Sequence, residues 1–354
     1  FFMKRFIGRF ALFVWSFLLT LVCLEIFLNV TLYKPKQVWW QWVTSPTNYK
    51  FNLDSRRIYT LRRNHTVDYE PNVPKQTIDA LGHRASPCSK GHEVWVFVGD
   101  SYIYGHGVGD METIPHYSYM GLLDKGKQIC VINVGVQGYA LGTSYSAFLD
   151  ALSFKPRVVI WGIRSDDLLD RIQNNVLDIT SDTVHQRFWI FNGIYMQGII
   201  QRTVGQLFPA SRLLNIIMYT LQADMISNDY VDSWAEKFPV FVSHVDALAK
   251  KHGFKLYYVL TASETMMIDP ENNQKYEVRI NKLIVNTLIN KREKYVDMNR
   301  IIRGDSIAPG AKNVSNLDIK KLFLPDWHMT PEGNKLVADT LIGLVEYQQS
   351  STHE

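Results

Sequence analysis

The hydrophobic pattern divides the chain near residue 34. Residues 10–33 carry a single charge, Glu25, among Phe, Leu, Val and Ile. At ~1.5 Å of rise per residue, a helix of this length crosses a ~30 Å hydrocarbon layer. Lys4, Arg5 and Arg9 precede it, which favours a cytoplasmic N-terminus (residues 1–9), a single-pass transmembrane helix (10–33) and an extracytoplasmic main domain, periplasmic or extracellular. Trp39, Trp40 and Trp42 follow where an interfacial aromatic belt would lie. The rival reading is a cleaved signal peptide with its apolar core at 10–24, but no small-x-small cleavage site follows that core. Glu25 either snorkels to the outer interface or meets a partner helix.

After an irregular connector (34–92), the pattern changes to short apolar runs. These are EVWVFV (93–98), ICVINV (129–134), RVVIW (157–161), KLYYVL (255–260) and a weaker KYVDM (294–298). Near-continuous apolar runs of this length suit strands buried on both faces. Helical patterns alternate with them at 114–125, 143–153, 232–252, 274–293 and 331–348. Strand–helix alternation predicts an α/β domain over 93–354, with a mainly parallel sheet of about five strands and helices on both faces. One stretch breaks the alternation: an insertion at about 170–230, whose 188–221 portion is apolar yet studded with Gly, Asn and Arg. It reads as a lid, a membrane-resting or subunit-binding surface, or extra core helices.

Composition narrows the function. The chain has 354 residues and 38 Lys+Arg against 34 Asp+Glu, a net +4 that is too small and too mixed for a nucleic-acid binder. Three cysteines rule out a disulfide scaffold. Cys88 and Cys130 lie beyond the apolar segment and form either a disulfide or two free thiols. No Cys-x-x-Cys and no His-Glu-x-x-His occurs, so neither a metal nor a cofactor is expected.

Chemistry is expected at the strand ends, where ligands bind in parallel sheets. Gly99-Asp100-Ser101 follows the first run and puts a hydroxyl at the mouth of the sheet. The sequence 133–138 (NVGVQG) follows the second run, and 162–167 (GIRSDD) follows the third. Asp326-Trp327-His328 lies just before the last helix, which Thr330 would cap and Pro331 would open. Together these offer a nucleophile, a base, an orienting carboxylate and backbone donors, which are the parts for acyl transfer through a serine. His106 and His116 also follow Ser101, with surface or capping roles as the simpler expectation. Tyr102 and Tyr104 are expected to pack the helix start.

The blocks VFVGDSYIYGHGV (96–108), VINVGVQGY (131–139), VVIWGIRSDDL (158–168) and LPDWHMTPEGNKLVAD (324–339) resemble the SGNH/GDSL hydrolase superfamily. The likeness spans residues 93 to 345 and omits the anchor, the connector and the insertion. It implies a flavodoxin-like three-layer α/β/α domain. It also implies esterase, lipase or O-acyl hydrolase or transferase activity on an acyl ester. It makes Ser101 the nucleophile and first oxyanion donor, Gly138 the second donor and His328 the base, with Asp326 as orienter. Two positions depart from the family pattern. Asp166 stands where the family carries an asparagine whose amide donates to the oxyanion, and an Asp donates only when protonated. One residue, rather than the commoner two, separates Asp326 from His328.

Three functions follow from this reading. The first is a membrane-anchored serine esterase or O-acyltransferase acting on cell-surface glycan or lipid. The second is a catalytically inactive accessory subunit of a membrane complex, held through the anchor and the insertion. The third is a carbohydrate-binding module that kept the cleft.

Overall fold

A computed structural model describes residues 2–30, 49–51, 57, 59–67, 73–88, 93–169, 174, 227–272, 274–304 and 319–350. The 188–221 stretch, and most of the surrounding insertion, lie outside these residues.

The N-terminal segment forms one helix, α1 (Phe2–Val30). Its window Gly8–Leu28 has a mean hydropathy of 2.4. Leu12, Phe13 and Trp15 are exposed on it. A helix apolar on all sides is built for an apolar solvent. Among the described residues it is the one helix long and apolar enough to cross a membrane; a signal sequence would have the same character.

The second unit is the α/β domain. Its five-stranded sheet comprises β5 (Glu93–Val98), β6 (Ile129–Asn133), β7 (Val158–Ile163), β8 (Lys255–Leu260) and β9 (Tyr295–Asp297), in the order β6-β5-β7-β8-β9. Every pairing is parallel. This is the 2-1-3-4-5 order of a flavodoxin-like sheet, and its switch point lies between β5 and β7. All six residues of β7 are buried, which is why its sequence reads as an unbroken apolar run. Alternate side chains serve two cores. Trp95, Phe97, Ile160, Tyr257 and Val296 pack with Leu341, Ile342 and Val345. On the opposite face Trp161 packs against Phe148 and Phe241, with ring centroids at 5.2 and 5.3 Å.

Five helices fall near the expected positions: α3 (Ile114–Leu123), α4 (Leu141–Ala151), α5 (Asn228–His252), α7 (Tyr276–Asn290) and α10 (Pro331–Ser350). Shorter helices among the described residues are α2 (Ser101–Tyr104), α6 (Glu264–Ile268), α8 (Met298–Arg303) and α9 (Ile319–Leu322).

The connector differs from expectation. Its described part holds two antiparallel hairpins, β1 (Tyr49–Phe51) with β2 (Tyr59–Leu61), and β3 (His65–Val67) with β4 (Gln76–Ile78). Three-residue strands are too short to show a period in sequence. Tyr59, Leu61, Val67 and Ile78 are buried. Arg84 bridges the β3–β4 hairpin to Asn133 at the end of β6. The guanidinium of Arg84 is fully buried, donates to Val108 O (2.9 Å), pairs with Asp110 and lies over the Tyr104 ring. Cys88 and Cys130 are joined in a disulfide.

Candidate active site

The turn that carries Ser101, the candidate nucleophile, comes from close packing. β5 ends at Val98, the chain reverses at Gly99 (φ +154°), and Asp100 caps α2 by accepting from Tyr102 N at 2.9 Å. A Cβ on Gly99 would lie 2.6 Å from Ile103 Cγ1, and one on Gly162 would lie 2.5 Å from the same atom. A Cβ on Gly135 would lie 2.6 Å from Tyr104 N. The glycines at the three strand ends therefore let α2 dock on the sheet, with Ile103 wedged between β5 and β7. Asn133 secures the arrangement by donating to Ile103 O (2.8 Å) and accepting from Gly135 N (3.0 Å). Ser101 is thereby held at the switch point with little exposure.

His328, the candidate base, comes from the loop between α9 and α10. Leu324 N donates to His328 O (2.7 Å), Trp327 N to Leu324 O (2.9 Å) and Thr330 N to Leu322 O (3.0 Å). Thr330 Oγ1 accepts from Gly333 N at the start of α10. Tyr102 OH donates to Trp327 O, tying this loop to α2. His328 Nε2 lies 2.8 Å from Ser101 Oγ, and His328 Nδ1 lies 2.9 Å from Asp326 Oδ2. Asp326 Oδ1 also accepts the backbone N–H of His328 at 3.2 Å. The short spacing works because Trp327 adopts φ +65°, a left-handed turn that folds Asp326 back onto the imidazole.

Burial lowers the basicity of His328, offset in part by its bond to Asp326. Burial pushes the Asp326 carboxyl up, but hydrogen bonds from His106 and His328 outweigh it and hold the group well below the usual carboxylate range. The imidazole is thus poised neutral, with an ionised carboxylate behind it.

The two other candidate histidines separate. The ring of His106 stands 4.4 Å from that of His328, with its Nε2 3.5 Å from Asp326 Oδ2 and its Nδ1 2.5 Å from Gln137 Nε2. His116 instead sits in the first turn of α3, where its N–H meets Thr113 Oγ1. Gln137 carried no signal in sequence beyond its place beside Gly138. His106, Asp326 and His328 are also the described donor atoms able to gather on a metal ion, lying within 4.8 Å of one another.

Around Arg164 the site holds three carboxylates. Asp166 Oδ2 pairs with the Arg164 guanidinium at 2.8 Å, and Asp167 Oδ2 accepts Arg164 N at 2.8 Å. The guanidinium lies over the Tyr102 ring at 4.6 Å. Burial pushes Asp100 up to about 6, and burial pushes Asp167 well above the carboxylate range. Asp166, the expected third oxyanion donor, is thus ion-paired with Arg164. Gly138 has φ +70°, and a Cβ there would meet Tyr59 OH at 2.9 Å. Tyr59 OH donates to Gln137 O and Tyr139 OH to Tyr59 O, both at 2.6 Å, so the β2 strand braces this turn.

No family model and no curated protein matches the chain. Solved structures do. The esterase EstA from Pseudoalteromonas sp. is 10% identical, with 73% of this chain and 99% of that one covered at a TM-score of 0.42. The lipase/acylhydrolase from Enterococcus faecalis is 13% identical, covering 72% and 96% at 0.41. A G-D-S-L family protein from Desulfitobacterium hafniense is 14% identical, covering 71% and 98% at 0.38.

Proposed function

We propose that this chain is a membrane-anchored serine esterase or O-acyltransferase acting on acyl esters of cell-surface glycan or lipid. The observation that carries the reading is the unbroken line Ser101–His328–Asp326, at 2.8 and 2.9 Å. Ser101 Oγ attacks the acyl carbonyl carbon while His328 Nε2 takes the hydroxyl proton. Asp326 holds the Nδ1–H tautomer and stabilises the imidazolium that forms. The N–H groups of Ser101 and Gly138 are the proposed donors to the tetrahedral oxyanion. Collapse breaks the ester C–O bond, and His328 returns the proton to the leaving alcohol. Water then releases the acyl group from Ser101 in an esterase, or a second hydroxyl takes it in a transferase.

The basic residues before α1 and its apolar length support an anchor with a cytoplasmic N-terminus. The Cys88–Cys130 disulfide supports an oxidising compartment for the α/β domain.

A second reading, a catalytically inactive SGNH-like accessory subunit of a membrane complex, is favoured by the ion-paired Asp166. Loss of one oxyanion donor costs ~10²–10³ in rate. Labelling of the purified full chain by a fluorophosphonate separates the two. Labelling that requires both Ser101 and His328 supports the enzyme. A folded protein that takes no label refutes it, and the partners co-purifying with the anchor are then the object of study.

A further inference from the structure

We propose that His106 is a positioning residue for the Asp326–His328 pair, held in its working tautomer by Gln137. This rests on the esterase reading above and extends the triad to five side chains drawn from three of the four sequence blocks.

The need for such a residue follows from exposure. Asp326 is 47% exposed, against 12% for His328 and 15% for His106. A carboxylate open to water on one side has competing solvent partners and low orientational restraint. On its own loop Asp326 is tied by His328, through Nδ1 and the backbone N–H. His106 supplies a contact from a different element. Its backbone N–H bonds Ser101 O at 3.0 Å, in the turn that closes α2, so the imidazole moves with the nucleophile. Gly105 (φ +83°) forms that turn, and a Cβ there would strike Thr113 Cγ2 at 2.5 Å.

The tautomer follows from the partners. Asp326 is ionised and accepts only, so His106 Nε2 must carry the proton. Nδ1 then accepts from Gln137 Nε2, which lies 2.5 Å away. Each partner leaves one arrangement for the next. His328 is faced by Asp326 on its own loop, by Ser101, Tyr102 and His106 from the α2 turn, and by Arg164 from the end of β7. Of these, His106 both shares the carboxylate and abuts the ring.

Removing His106 concentrates the Asp326 charge on His328, which favours the imidazolium. The test uses the full chain with His106→Ala, His106→Gln and Gln137→Ala. Two readouts are followed against pH: the His328 titration by NMR of histidine-labelled protein, and the rate of fluorophosphonate labelling. In His106→Ala the His328 midpoint rises by about one pH unit, and labelling on the acid side falls about tenfold. His106→Gln, whose amide can donate to the same carboxylate oxygen, returns both towards wild type, and Gln137→Ala lies between. A His328 midpoint unchanged in His106→Ala overturns the inference, as does a variant that melts earlier with its pH profile unmoved. Wild-type protein that never labels while the NMR midpoint still shifts refutes the esterase reading and leaves the His106 tie standing.

Discussion

Asp100 offers a quantitative check on the site's electrostatics. It is 5% exposed, caps α2 through Tyr102 N, and has its pKa raised from an ordinary 3.8 to about 6. Burial is the main cause, with Asp166 adding repulsion and Arg164 offsetting part of it. The folded protein therefore holds a proton that the unfolded chain releases near pH 4. Between those two values the folded state binds more protons than the unfolded state, so stability falls as pH rises. At ~1.4 kcal/mol per pH unit, the rise from 3.8 to about 6 is worth about 3 kcal/mol. Asp100→Asn keeps an oxygen able to cap Tyr102 N and has no charge to desolvate. The variant should match wild type near pH 3.5 and exceed it by up to about 3 kcal/mol above pH 6. Urea unfolding of the full chain in detergent at several pH values, followed by near-UV circular dichroism, measures the difference. A variant less stable than wild type at pH 7, or a difference that does not change with pH, would refute the reasoning.

Gly135→Ala places a Cβ 2.6 Å from Tyr104 N, a backbone atom that cannot swing aside. It should cost about 1–3 kcal/mol and slow labelling of Ser101 by displacing α2, and unchanged labelling would show that the turn has slack. The labelling rate of the wild type should stay level on descending below pH 7 and reach its acid midpoint below the ~6.5 of an ordinary histidine, because burial lowers His328; a midpoint above that value contradicts the described environment. Replacing Cys88 and Cys130 by serine removes a crosslink between positions 42 apart and should cost about 4 kcal/mol through the freed unfolded chain. Equal urea midpoints for the variant and for reduced and oxidised wild type would contradict this.

The alternation of apolar runs and helical patterns was enough to place all five strands of the sheet and five of its helices, because strands buried on both faces leave continuous apolar signatures. The four blocks, three at strand ends and one before the last helix, pointed to Ser101, His328 and Asp326, and the structure brings these three within hydrogen-bond reach. The connector hairpins were not legible, since each strand is three residues long. His106 and His116 were indistinguishable in sequence. One enters the site because it follows the left-handed Gly105, and the other is carried away by α3. The strand-end glycines Gly99, Gly135 and Gly162 have Ile103 and Tyr104 as their close neighbours. Local pattern alone determined which segments are strands and helices and which short blocks could carry chemistry, because periodicity and turn residues are properties of neighbouring positions. Only the tertiary structure decided that Trp327 turns left-handed to bring Asp326 onto His328, that Gln137 reaches His106, and that Asp166 faces Arg164. Those contacts join segments distant in sequence, or depend on a backbone angle that residue identity leaves free.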